Sequence, residues 1–185
     1  SNEIDYGGKL EHFELTQSTG EKFDSRRLDG DVWIASFFYA TCPSECRQMN
    51  EAKKKLLVEY GHQGVKFVSI TCDAENDTPA RLSEEVRRYN APTDTWFFLT
   101  GDQKYIEKIG KDIFMVPVER YGHLPHFMVV DRNGEVKGMF NFKKEDQISD
   151  LHELVGKLLL EEASSSESEQ SASKIEAAER GEPAS

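Results

Sequence analysis

Three stretches of the chain are apolar at nearly every position: DVWIASFFYA (31–40), GVKFVSITCD (64–73) and DTWFFLTGD (94–102). Short runs without alternation predict strands buried on both faces. Between them the period lengthens. Met49, Ala52, Leu56 and Leu57 recur at helical spacing and predict a helix over 42–60, with Lys53, Lys54 and Lys55 facing water. TPARLSEEVRRYN (78–90) predicts a second helix, with Thr78 as N-cap, Pro79 in the first turn and Leu82 and Val86 on its apolar side. YIEKIGKDIF (105–114) predicts a third. EDQISDLHELVGKLLLEE (145–162) predicts a closing amphipathic helix with Ile148, Leu151, Leu154, Val155 and Leu158 on one side. Two segments alternate instead: EHFELTQSTGEKFDSRRLDG (11–30), turning at STG, and HFMVVDRNGEVKGMFNF (126–142), turning at Asp-Arg-Asn-Gly. Both predict hairpins.

The order ββ, βα, βα, βα, ββα implies an α/β fold: a central mixed sheet, helices on both faces and an N-terminal β-hairpin. Ligands of such sheets bind beyond the carboxyl ends of the strands. The 185 residues suit one soluble globular domain, expected over 1–160. The net charge of −11 argues against nucleic acid, which needs clustered cations. Part of that charge is local: residues 161–185 carry seven Glu against Lys174 and Arg180 and no aromatic side chain. That composition predicts a disordered acidic tail. No apolar run is long enough to cross a bilayer. The opening SNEIDYGG reads as a trimmed or mature end, so a leader or an N-terminal anchor would lie ahead of it.

Three cysteines are too few for a disulfide-stapled scaffold. Two of them, Cys42 and Cys46 in YATCPSEC (39–46), stand four apart where the first buried strand meets its helix. Residues four apart on a helix share a face, so the two sulfurs can lie side by side. A helix N-terminus stabilises thiolate, and Pro43 suits the first turn. Soft thiolates select soft ions, copper(I) above all, and zinc. The pair therefore supports either copper binding or reversible thiol–disulfide exchange. For copper(II) a third ligand is expected. His12, His62 and His152 read as surface residues, which leaves His123 and His126 in YGHLPHFMVVD (121–131).

At this point the residues resemble the Sco/SenC family. TCPSEC (41–46) matches its copper motif, CDAENDTP (72–79) its middle segment, and GHLPHFMVVDRNGEV (122–136) its third signature, in which a His precedes a turn-opening Asp by eight residues. His123 and Asp131 fit that spacing, whereas His126 does not. The similarity runs from about residue 8 to 160. It implies a thioredoxin-like fold and an extra-cytoplasmic protein, periplasmic or of the mitochondrial intermembrane space, tied to a membrane only through its N-terminal anchor. It implies copper as cargo, held by Cys42, Cys46 and His123, with Asp73 as outer-shell support. It also implies a role in assembling the copper A centre of cytochrome c oxidase, with the copper A-bearing subunit as partner and another copper chaperone as a further one. The chain departs from the family in Asp73-Ala74, where Asp-Pro is usual, and in Gly122-His123-Leu124, where Asp-His-Ser is usual.

The alternative is a thiol–disulfide reductase that keeps the partner's copper-binding cysteines reduced. Its attacking sulfur is expected to be Cys42, the more exposed of the two. Pro125 stands where membrane-tethered thioredoxin-like reductases carry a cis-proline facing their cysteine pair. Those proteins place two residues between the cysteines, however, and this chain has three. A peroxiredoxin-like peroxidase is disfavoured because no Pro-x-x-x-Thr stretch precedes Cys42. Cys72 closes the second buried strand and reads either as a small core residue or as a third sulfur near the site. Met49 and Met115 are expected to be packing.

Overall fold

A computed structural model describes residues 8–122 and 124–161. The expected acidic tail therefore lies outside the described residues except for Glu161. Seven strands form one sheet: β1 (Glu14–Gln17), β2 (Lys22–Asp24), β3 (Trp33–Phe38), β4 (Lys66–Thr71), β5 (Trp96–Thr100), β6 (His126–Val130) and β7 (Val136–Asn141). Their order across the sheet is β2-β1-β5-β4-β3-β6-β7. The three apolar runs are its parallel centre, with Phe38 opposite Thr71 and Val68 opposite Phe97. β1 and β6 flank that centre antiparallel, and each predicted hairpin closes one edge.

The helices are α1 (Glu45–Tyr60), α2 (Pro79–Tyr89), α3 (Gln103–Ile109) and α4 (145–161). Strand alternation sends Ser36 and Phe38 to one face of the sheet and Phe37 to the other. α1 and α2 cover the first face: Lys53 reaches Ser36, and Tyr89 stacks on Phe98 and tilts against Trp96. α4 lies beside α1, where the Tyr60 hydroxyl meets His152 Nδ1 at 2.5 Å. α3 covers the second face. It runs into a π-helical turn (Gly110–Phe114), from which Phe114 meets Trp33 and Phe37 edge-on.

Three expectations are corrected. The first helix begins at Glu45 rather than Cys42, because Ser44 holds a non-helical backbone and the Cys42 N–H turns back to Tyr39 O. Lys53 does not face water. It is fully buried, and its ammonium donates to Ser36 Oγ (2.6 Å), Val68 O (2.7 Å) and Ser69 Oγ (3.0 Å). The spacing 49–53–56–60 places it on the core side of α1 despite its charge. Met115 is not packing: it caps the π-turn in the left-handed region (φ 57°) and is 72% exposed.

Candidate metal-binding and redox site

The site grows from the carboxyl ends of β3 and β4. Beyond Phe38 the chain turns through Tyr39 and Ala40 to Cys42 and enters α1 one turn later. The first turn of a helix leaves N–H groups without intrahelical partners, and Ser44, the N-cap residue, makes no side-chain cap. Sulfur takes that place: the Cys46 N–H donates to Cys42 Sγ at 3.3 Å. Both cysteines are free thiols.

The loop ahead of the pair is pinned by an acid outside the predicted set. Asp77, fully buried, accepts through Oδ2 from the Ala40 N–H (2.9 Å) and the Thr71 hydroxyl (2.6 Å). Asp77 belongs to the CDAENDTP segment, so its position was visible in the sequence while its partner, 37 residues away, was not.

Accessibility does not single out Cys42 as expected: it is 4% exposed and Cys46 6%. Acidity separates them. Burial pushes the Cys42 thiol up, but the Cys46 N–H and thiol, the Ser44 N–H and the Tyr39 hydroxyl all stabilise its thiolate, and its pKa ends below the ordinary value. Burial pushes Cys46 up, and its hydrogen bond to Cys42 adds to that rise. Tyr39 is raised to about 12 by burial and by its bond to Cys42.

Asp73 is also fully buried, and its carboxylate is held by residues other than the cysteine pair. Arg120 Nε donates to Oδ1 (2.8 Å) and Asn76 Nδ2 to Oδ2 (2.9 Å). Asn76 Nδ2 also reaches the Tyr121 hydroxyl (3.1 Å), and Tyr121 meets Tyr39 edge-on at 5.4 Å. Asp73 thus ties the β4 end to the 119–122 turn. His123 lies outside the described residues. Among those described, no three His, Cys, Asp or Glu side chains converge to hold a metal ion; the pair is a two-sulfur site. Asp131 accepts from the Asn133 and Glu135 N–H groups and shapes the β6–β7 turn. No described peptide bond is cis, so Leu124–Pro125 is trans, unlike the cis-proline of the reductase resemblance. Cys72 is buried, its thiol pushed up to about 11 by that burial, with Sγ 4.0 Å from Gly122 O.

A model of the SCO1/SenC family matches residues 5–157. The chain belongs to that family. The SCO1 protein homolog of Bacillus subtilis (strain 168) is 30% identical over 158 residues, 77% of this chain and 81% of that protein. A SCO1/SenC family lipoprotein from Bacillus anthracis str. Ames has a solved structure that superposes with a TM-score of 0.72 at 28% identity, covering 81% of this chain and 94% of that one. The structure of BsSco superposes at 0.67 and 27% identity over 78% and 91%. BsSco is described with a disulfide switch and as a member of the Sco family of cytochrome c oxidase assembly proteins. The Sco fold is thioredoxin-like, and the N-terminal hairpin expected from the sequence is β1–β2. Among the described residues no helix is long and apolar enough to cross a membrane.

The donor set of this Sco-family site fits a soft cation. Two thiols share one helix start, and hydrogen bonds hold the pKa of Cys42 below its ordinary value. Copper(I) accepts few, soft ligands.

Proposed function

We propose that this chain is an extra-cytoplasmic copper-binding assembly factor for the copper A centre of cytochrome c oxidase. The cargo is held by Cys42 and Cys46 as copper(I) and completed by His123 for copper(II). The observation that carries the reading is the sulfur pair closing the N-terminus of α1, in a Sco-family chain with His123 at the signature spacing. The copper A-bearing subunit is the acceptor, and another copper chaperone would be the donor. The test is copper(I) titration of the reduced chain under argon, then oxidation to copper(II). One equivalent is expected, with a sulfur-to-copper(II) charge-transfer band lost in both Cys42→Ser and His123→Ala. No uptake, or a band unchanged in His123→Ala, refutes the ligand set.

A second reading is favoured by the two free thiols at one helix start, where the Cys46 N–H donates to Cys42 Sγ, and by the disulfide switch described for BsSco. In it the Cys42 thiolate attacks a disulfide of the copper A-bearing subunit, forms a mixed disulfide and releases one partner thiolate. Cys46 then closes the Cys42–Cys46 disulfide and releases the second. Two electrons pass from this chain to the partner. Exchange with a disulfide peptide from that subunit, abolished by Cys42→Ser, is the expected result; no exchange refutes it.

A further inference from the structure

On the face of the sheet away from α1 lies a cavity of about 520 Å³, lined among others by Phe37, Cys72, Met115, Leu124, His126 and Met139. Cys42 and Cys46 line a different pocket, with Phe38. Register explains how these residues come to line one cavity. Ala35 stands opposite Met128 across β3 and β6, so two residues on Phe37 falls opposite His126, on the same face. Met139 pairs with Met128 and Asn141 with His126, which sets Met139 diagonal to His126. Cys72 follows β4, its N–H on Phe38 O. Met115 comes from the end of the π-turn.

Two independent features of this cavity point to a ligand. His126 Nδ1 is buried without a hydrogen-bond partner among the described residues, and such orphaned atoms call for a partner. Two of the four methionines stand here against water, Met115 at 72% and Met139 at 41% exposure, while Met49 and Met128 are buried. A thioether on three rotatable bonds adapts readily to a ligand.

We propose that Cys72, Met115, Met139 and His126 form a second soft-metal site, for one copper(I) ion, on the opposite face of the sheet from the Cys42–Cys46 pair. A thiol, two thioethers and an imidazole select copper(I) or silver(I) over hard cations. Binding displaces the Cys72 thiol proton to solvent; the thioethers and the imidazole bind through lone pairs, and no redox change is involved. The cavity is also lined by Gly122 and Leu124, which flank His123 in the sequence, so serine variants at Cys42 and Cys46 are what tell the two sites apart.

The test titrates the reduced full chain carrying Cys42→Ser and Cys46→Ser with silver(I), a redox-inert probe for copper(I), against a competing chelator. One equivalent is expected to remain, with affinity falling at least tenfold when Cys72→Ser or the pair Met115→Leu/Met139→Leu is added. Zero equivalents, or an affinity indifferent to those additions, overturns the site. A second measurement uses the unaltered chain: once the Cys42–Cys46 pair is saturated with silver(I), further addition should shift the ε-methyl resonances of Met115 and Met139. Absence of that shift also overturns the site, whatever the fate of the serine variant. The Cys72→Ser chain with its pair intact reports separately on the first site.

Discussion

The residue on which the cysteine loop depends most is Asp77, and its replacement gives the sharpest test of the geometry. Its Oδ2 holds two buried donors, the Ala40 N–H and the Thr71 hydroxyl. In Asp77→Ala the hydroxyl can rotate to another acceptor, but the Ala40 N–H is fixed by the backbone and stays buried without one. A buried donor so abandoned costs ~1–3 kcal/mol. We expect about 2 kcal/mol of lost stability, a roughly 30-fold fall in the folded-to-unfolded ratio. Asp77→Asn keeps an acceptor oxygen and should lose less than half of that. Urea unfolding of the metal-free protein reads both, as a shift of midpoint at constant slope. If Asp77→Ala unfolds at the midpoint of Asp77→Asn, the pinning of Ala40 has no energetic weight and the reasoning fails.

The same carboxylate fixes a pH dependence. Burial raises the Asp77 pKa above its ordinary 3.8, against hydrogen bonds from Thr71 and Ala40 that lower it, and Oδ1 has no partner among the described residues. A group raised in the folded state contributes its stability fully below the unfolded value, and that contribution is lost as pH rises through the folded value. Asparagine cannot ionise. The stability of Asp77→Asn relative to the parent should therefore improve as pH rises from below 3.8 toward neutrality. A relative stability of Asp77→Asn that stays constant or falls as pH rises contradicts a raised Asp77 pKa.

Burial pushes the Lys53 pKa well below 10.5. A depressed base gives its full stability above the unfolded pKa and loses it as pH falls toward the folded one, so Lys53→Met should gain on the parent as pH drops from above 10.5 to neutral, read by urea midpoints at each pH. At Gly110 an added Cβ would stand 2.3 Å from Val118 Cγ2 and 3.1 Å from Val116 O; Gly110→Ala should cost ~1–3 kcal/mol in thermal unfolding, overpacking outweighing the gain in helix propensity. Mild oxidation followed by non-reducing peptide mapping should join Cys42 to Cys46 and leave Cys72 as a thiol; a Cys72 cross-link within the chain would contradict the separation of the two cavities.

The strands were legible because each of the three central runs is buried on both faces and carries no alternation to confuse with a helix. The cysteine pair was legible from spacing and from the strand before it. The start of α1 was not, since Met49 and Leu56 mark the middle of a helix and say nothing of Ser44. Lys53 looks exposed by residue type, but its spacing with Met49, Leu56 and Tyr60 puts it on the core side of α1. Long-range partners were out of reach: nothing in the local pattern joins Arg120 to Asp73 or Asp77 to Ala40. Met115 read as packing because its helical run gives no sign of the π-turn that pushes it outward.

What separates the third thiol from the first two is register. β3 and β4 run parallel with Phe38 opposite Thr71, so the residues that follow, Tyr39 and Cys72, leave the sheet side by side. From there the chain after β3 turns over the face covered by α1, carrying Cys42 and Cys46 with it, while Cys72 lines the cavity beneath Phe37 on the other face. A slip of one residue in β4 would reverse every side chain of that strand and swing Cys72 toward the pair. It would also turn Ser69 away from Lys53 and Trp96, and Thr71 away from Asp77. The buried polar contacts of β4 therefore do more than stabilise the sheet: they fix the face on which Cys72 stands relative to the pair.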